Sequence, residues 1–151
     1  MSAGVSNEST TNQRAAAGTA PSGITPSPAP QYNGTLRQAP NTAPVYLVIN
    51  GALCWIPDPQ TFNNLITPGA KIITDPNLDE IAVGTPLTSG AVLAKASGDQ
   101  PTYLVSNGVK MWVPNPTIWG DYQFNWGQVQ TVPFIVIESI PSGPDLQGPS
   151  Q

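Results

Sequence analysis

The densest group of aromatic residues in the chain lies between positions 119 and 126. Trp119, Tyr122 and Trp126 occur there, with Asn125 and other polar residues between them. Aromatic rings beside carboxylate and amide groups can stack on a sugar ring and hydrogen-bond its hydroxyls, or they can contact another protein. A hydrophobic cluster beneath a loop explains the same pattern equally well. We take Trp119, Tyr122 and Trp126 as candidate binding residues.

Two Tyr–Trp pairs, Tyr46 with Trp55 and Tyr103 with Trp112, are a second set of candidate binding residues. A flat indole presented on a sheet face can stack on a sugar or on an apolar patch of a partner. The structural alternative is a cross-strand pair that adds about 0.5–1.5 kcal/mol to the stability of its own hairpin. We favour the structural interpretation, because positions copied within a chain usually maintain the repeated fold.

The residues that most enzymes use for catalysis are missing from the sequence. The chain has no histidine, which rules out Ser-His-Asp and Cys-His sites. It also has no Gly-rich phosphate-binding loop and no Cys/His cluster for a metal. The single cysteine, Cys54, lies between Leu53 and Trp55, and we expect it to be buried. We expect a non-enzymatic protein without catalytic residues, metal or cofactor, although a pair of distant carboxylates for glycoside hydrolysis stays open.

Charge and hydropathy argue against several kinds of partner. The chain has 5 Lys and Arg against 9 Asp and Glu, and its formal net charge of −4 repels the phosphates of nucleic acids. It has no basic amphipathic helix and no apolar run of membrane length, so we expect no membrane insertion. Residues 1–30 lack the apolar segment of a secretory signal. We expect a virion, extracellular or cell-surface location that is reached without a standard signal.

The chain contains two copies of one repeat. The letters YLVING at 46–51 recur as YLVSNG 57 residues later, and WIPDP at 55–59 recurs as WVPNP at the same offset. An Ile-x-x-Gly-x-x-Leu segment at 81–87 recurs 59 residues later, at 140–146. These offsets predict two tandem units, the second of which has gained two residues.

Each unit is predicted to contain a β-hairpin. Asn50-Gly51 and Asn107-Gly108 lie between apolar runs, and a type I′ turn requires φ > 0 at both of its central residues, which Asn tolerates and Gly prefers. This turn pairs the Tyr and Trp of each unit across the hairpin, and the prolines that follow the Trp end the second strand. The residues expected on the core face are Leu47, Ile49, Cys54 and Ile56 in the first unit and Leu104, Met111 and Val113 in the second.

We therefore predict an all-β fold, in which two tandem β-hairpin repeats form one small sandwich or barrel-like domain behind an extended arm. The arm is assigned to residues 1–30, repeat 1 to 31–87, repeat 2 to 88–146 and a tail to 147–151. The arm is rich in Pro, Ala, Ser and Thr, so it buries too little apolar surface to offset an ordering entropy of roughly 1–2 kcal/mol per residue. It is of the disordered type unless a partner orders it. Further strands are predicted over 70–74, 80–83, 91–95, 128–132 and 134–139, and one helical turn over 61–65.

The hairpin motif, with Tyr46, Asn50-Gly51, Trp55 and the following Pro-Asp-Pro, resembles a repeat of bacterial extracellular and phage-encoded proteins. Those repeats are often tandem and often lie beside other modules. In the second unit, Trp119 and Ile118 replace the Phe and Thr that end the motif. The resemblance implies repetition and display on a surface, and it transfers no catalytic or binding residue.

Two hypotheses of function follow from the sequence. In the first, the chain is a non-enzymatic structural or accessory protein of a larger assembly, such as a phage particle or a cell-surface structure. Its arm docks on protein partners, and its repeat domain is displayed, contacts neighbours or self-associates. In the alternative, the chain is a free lectin-like module that binds carbohydrate through exposed Trp and Tyr residues.

Overall fold

The computed structural model describes residues 25–149, which are mostly β. These residues form eight strands in two four-stranded sheets, and the two sheets are separate and do not close into a barrel. Three short α-helices accompany the strands. The strands are β1 Leu36–Gln38, β2 Val45–Ile49, β3 Ala52–Ile56, β4 Ile72–Thr74, β5 Val92–Ala96, β6 Thr102–Ser106, β7 Val109–Val113 and β8 Gln130–Val132, and the helices are α1 Pro59–Leu65, α2 Pro116–Asp121 and α3 Phe134–Ser139.

The two sheets have the same strand order. The first is β3-β2-β1-β4 and the second is β7-β6-β5-β8. In each sheet the first three strands are antiparallel, and the last one joins in parallel after a crossover through a helix. Parallel pairing needs such a crossover because a tight turn cannot reverse the chain back to the same end of the sheet.

Both hairpins have the register that the sequence predicts. Asn50 and Asn107 have φ of 49° and 55°, and the glycine after each also has positive φ. The turn pairs Tyr46 with Trp55 in the first hairpin and Tyr103 with Trp112 in the second. A two-residue turn in this conformation matches the right-handed twist of the strands, so the turn alone sets the pairing.

Each hairpin is followed directly by a helix, because the Pro-x-Pro segment both ends the strand and starts the helix. Pro59 and Pro116 are the first residues of α1 and α2. A proline fits this position, where its missing N–H would have no helical partner. Asp58 accepts a hydrogen bond from Thr61 N, and Asn115 accepts one from Ile118 N. The helical turn predicted over 61–65 lies inside α1.

Both sheets contribute to one core cluster. The predicted core-face residues belong to it: Leu47, Ile49, Cys54 and Ile56 from the first sheet and Leu104 and Val113 from the second are buried, and Met111 packs against them half-buried. The opposite faces are also covered. Ala29, Leu78 and Ile81 pack against Tyr46 on the first sheet, and Ile137 packs near Tyr103 on the second.

Two of the predicted strands are wrong. Residues 134–139 form helix α3, whose first turn is closed by hydrogen bonds from Val136 N and Ile137 N to Pro133 O. An apolar run of six residues fits a helix or a strand equally well, so the sequence pattern did not separate them. Residues 80–83 are not a strand of a sheet: a 3-10 helix ends at Glu80, and Ile81 and Val83 form isolated bridges.

After the last strand of each sheet, the chain runs back along the hairpin of that sheet and then reaches the turn of the other hairpin. Leu53 bonds through its backbone to Ala82 and Gly84, and Lys110 bonds to Pro141 and Gly143 in the same way. The chain then continues to the turn of the opposite hairpin. There the Asn50 side chain bonds to Asp145 O and Gln147 N, and the Asn107 side chain bonds to Pro86 O and Thr88 Oγ1, all at 2.9 Å. The two turns thus hold the two halves together reciprocally.

Residues 25–30, which the sequence analysis assigns to the arm, pack on the first sheet. Ser27 makes two backbone hydrogen bonds, with Glu80 O and Ala82 N, and Ala29 is buried. The rest of the predicted arm lies outside the described residues. Arg37 lies close by, over the ring of Tyr32 and in a 2.7 Å ion pair with Asp75.

Candidate functional site

The two Tyr–Trp pairs each consist of a covered tyrosine and an exposed tryptophan. Tyr46 is buried and Tyr103 is half-buried, whereas Trp55 and Trp112 are 41% and 39% exposed. The tryptophans lie on edge strands β3 and β7, and the tyrosines lie on interior strands β2 and β6, which accounts for the difference. The structure therefore presents the two indoles to solvent and keeps the phenols within the domain.

The aromatic group at 119–126 is mostly part of the core. Tyr122 is fully buried and its hydroxyl donates a 2.7 Å hydrogen bond to Gln147 O. Trp119 is also buried, its ring packs edge-on against Phe124, and its indole nitrogen makes no hydrogen bond within the described residues. Trp126 stacks on Trp119 with ring centroids 3.8 Å apart and stays 60% exposed. Of these candidates, Trp126 is the one whose ring reaches solvent.

An apolar cavity of about 510 Å³ lies beside Trp55. Its walls are formed by β3, by the turn before β2, by α1 and by the start of β4, and they include Pro44, Pro57, Phe62 and Ile72. Pro57 and Pro44 make this wall stiff, because the proline ring fixes the backbone φ. Ile72 is 39% exposed, so the cavity is an open groove and not part of the core.

A second cavity, of about 440 Å³, continues the first. The two share Phe62, Asn63 and Ile72 in their walls. The second extends past α1 to Asn125 and Gln128, which belong to the half of the chain that carries the second sheet. Hydrogen bonds between Gln123 and the backbone of Thr67 and Lys71 hold these two parts together. We call the two cavities together the long groove.

Asp58 is the one charged residue in the walls of the long groove as the structure describes them. Its carboxylate accepts hydrogen bonds from Ser89 Oγ and from the backbone N and hydroxyl of Thr61. These bonds, with that from Ser89 contributing most, lower the pKa of Asp58 below its usual value. The carboxylate is thus ionised at neutral pH, and its hydrogen bonds to Thr61 cap the start of α1.

Two groups with raised pKa lie in the core and away from the groove. Burial raises the pKa of the Cys54 thiol to about 11, and burial also raises the pKa of Tyr122 above its usual value. A thiol with so high a pKa is a poor nucleophile at neutral pH. Within residues 25–149, no three His, Cys, Asp or Glu side chains lie close enough to hold a metal ion together. No helix in that range is long and apolar enough to cross a membrane.

Helix α3 carries an exposed apolar patch that the sequence analysis missed. Phe134, Ile135 and Val136 are 53%, 75% and 42% exposed, and Ile137 is buried against the second sheet. The mistaken strand assignment hid the patch, because alternation would have turned half of these side chains inward. We call these three exposed residues the α3 patch.

The groove amides Asn63 and Gln128 were also missed. Neither side chain makes a hydrogen bond to another described residue, and both are exposed. The available signal for Asn63 was its position soon after a Pro-x-Pro segment, and that for Gln128 was its position beside the 119–126 aromatic group. No protein-family model, curated protein or solved structure matches the chain.

Proposed function

We propose that the protein is a non-enzymatic structural or accessory component of a larger assembly, such as a phage particle or a cell-surface structure. The observation that carries this proposal is the α3 patch, where Phe134, Ile135 and Val136 are adjacent and exposed. Contiguous exposed apolar side chains usually mark a surface that another protein covers. Their burial by a neighbour would release water from apolar area and stabilise the contact.

Comparison of the two halves of the chain supports this reading. At the 59-residue offset, Leu78 corresponds to Ile137, and both are buried. The three residues before Leu78 are Asp75, Pro76 and Asn77, where the second half has the α3 patch. The fold therefore needs the buried residue in both halves and does not need the exposed apolar ones. A feature that the architecture does not require is a better candidate for a contact with a partner.

We further infer that the two halves are tandem copies of one unit and that residues 1–24 tether the domain to its partner. The shared strand order, the equal hairpin registers and the reciprocal Asn50 and Asn107 bonds support the first inference. The Ala-, Ser- and Thr-rich composition of residues 1–24 supports the second. The resemblance of the hairpin motif to bacterial extracellular and phage-encoded repeats supports display on a surface. The location that fits these inferences is a virion or a cell surface.

The experiment is native mass analysis and sedimentation of the protein from its natural source. We expect co-migration with a particle, and we expect Ile135→Asp to weaken it while the melting temperature stays within a few degrees. Val83→Asp is the matched control, because Val83 is 56% exposed but lies outside the α3 patch. Deletion of residues 1–24 tests the tether and leaves the packed residues 25–30 in place. A wild-type protein that migrates as a free monomer in native extracts would refute the proposal.

A further inference from the structure

We propose that the long groove is a binding site for a neutral glycan chain, and this proposal stands independently of the assembly role. Two adjoining cavities of about 510 and 440 Å³ share Phe62, Asn63 and Ile72, so a linear ligand can run through both. Each volume falls in the range of small-molecule sites, about 300–1,000 Å³. A chain of several sugar residues fits this shape better than a single compact ligand.

The apolar part of the groove suits the C–H face of a sugar ring. Trp55 is 41% exposed and lines the groove together with the α1 side chain Phe62. An indole face binds apolar C–H surfaces, and its N–H remains available to a hydroxyl. Pro44 and Pro57 lie in the same wall, so little conformational entropy is lost when a ligand binds there.

The polar part of the groove consists of primary amides that retain unused donors or acceptors within the described residues. The side chain of Asn63 and that of Gln128 make no hydrogen bond within residues 25–149. Asn125 uses its carbonyl oxygen to accept from Gly127 N, and its NH2 group remains unused within the same residues. An amide both donates and accepts, and so does a hydroxyl, so a row of amides matches a row of sugar hydroxyls.

The charge of the groove selects a neutral ligand. Asp58 is the one charged side chain in its described walls, and its carboxylate already accepts three hydrogen bonds. No cation in those walls could bind a sulfate or a carboxylate, and the formal net charge of −4 opposes anionic glycans. A proline-rich peptide would fit the aromatic and proline wall, but its prolines have no N–H to donate to the amide carbonyl oxygens, whereas a sugar hydroxyl both donates and accepts.

In the described part of the second half, the residues that correspond to the groove lining differ in type or burial. At the 57-residue offset, Phe62 corresponds to Trp119, which is buried and covered by the stacked ring of Trp126. By strand register, Ile72 corresponds to Val129, which lies half-buried against the core cluster. Trp112 therefore has the exposure of Trp55 without its groove. We expect one glycan site in each chain.

The test uses the full-length protein and a panel of neutral hexasaccharides of glucose, mannose, xylose and N-acetylglucosamine. Isothermal titration should find at least one ligand with 1:1 stoichiometry and a Kd below about 1 mM. Trp55→Ala should weaken binding by about tenfold or more, and Asn63→Ala and Gln128→Ala by about threefold or more. Trp112→Ala is the matched control, and it should bind as the wild type does.

Each alternative occupant gives a different result. Loss of binding in Trp112→Ala equal to that in Trp55→Ala, or a stoichiometry of two, would overturn the assignment to the long groove. Absence of binding by every neutral hexasaccharide would overturn the proposal itself. Preferential binding of an oligogalacturonate, or of a proline-rich decapeptide, would also overturn it and identify the other class of ligand. If Trp55→Ala fails to fold by circular dichroism, the exposed Asn63 and Gln128 variants decide the question.

Discussion

Replacing either turn asparagine with glycine should weaken the contact between the two halves of the domain and lower the free energy of unfolding. Asn50→Gly keeps the backbone conformation, since Gly adopts φ of 49° without strain, and it removes the two hydrogen bonds to Asp145 O and Gln147 N. At about 0.5–1.5 kcal/mol for each bond, the free energy of unfolding should fall by about 1–3 kcal/mol. Asn107→Gly removes the corresponding bonds to Pro86 and Thr88 and should cost a similar amount.

Glycine also makes the unfolded chain more flexible, so this effect needs its own control. Asn41 has φ of 61° and its side chain makes no hydrogen bond within the described residues. Asn41→Gly therefore measures how much the added flexibility of the unfolded chain lowers the free energy of unfolding. Urea unfolding of the three variants, with the slope m checked against wild type, gives the difference. If Asn50→Gly and Asn107→Gly both unfold within about 0.5 kcal/mol of Asn41→Gly, the reciprocal bonds do not hold the two halves together.

Three further predictions follow from the core and the backbone. Because folding raises the pKa of Cys54 to about 11 and also raises that of Tyr122, stability should be constant between about pH 7 and pH 8 and should fall as the pH rises from about 9 toward 11. Urea midpoints across this range check it, and Cys54→Ala should reduce the slope. Gly84→Ala should lower the free energy of unfolding by about 1–3 kcal/mol, since the new Cβ would lie 2.9 Å from the Cβ of Ala52. Gly120→Ala in α2 meets open space and should raise the free energy of unfolding by about 0.4–1 kcal/mol, and equal melting temperatures for the two variants would contradict this. Asn115→Ala should cost about 0.5–2 kcal/mol through loss of the α2 cap, while Asn115→Asp should retain most of the stability in thermal melts.

The hairpins could be predicted from the sequence because their determinants are local. The Asn-Gly turn sets the register within two residues, and alternation then assigns each side chain to a face. The prolines after Trp55 and Trp112 likewise determine where the strands end. The presence of two four-stranded sheets was not predicted, since their parallel strands β4 and β8 are three residues long and pair across a helix.

The candidate site was harder to predict, because exposure depends on residues far apart in the chain. Trp119 and Trp126 are both tryptophans of one aromatic group, yet Trp119 is buried and Trp126 covers it. Nothing in their local sequence separates these two outcomes. The groove amides were missed for this reason, since the groove depends on the approach of two halves of the chain. The α3 patch was missed for a local reason, since its six-residue apolar sequence fits a strand as well as a helix.

The differences between the two halves are more informative about function than their similarities. Leu78 and Ile137, which correspond to each other in the two halves, are both buried and serve the fold. Where the halves differ, the exposed features differ too: the long groove runs along α1 of the first half to Asn125 and Gln128, and the α3 patch lies on the second half. Because the shared core does not depend on either surface, one half can carry a surface that the other lacks. We therefore expect Trp55→Ala to impair the proposed glycan binding and Ile135→Asp to impair the proposed assembly contact, each without the other.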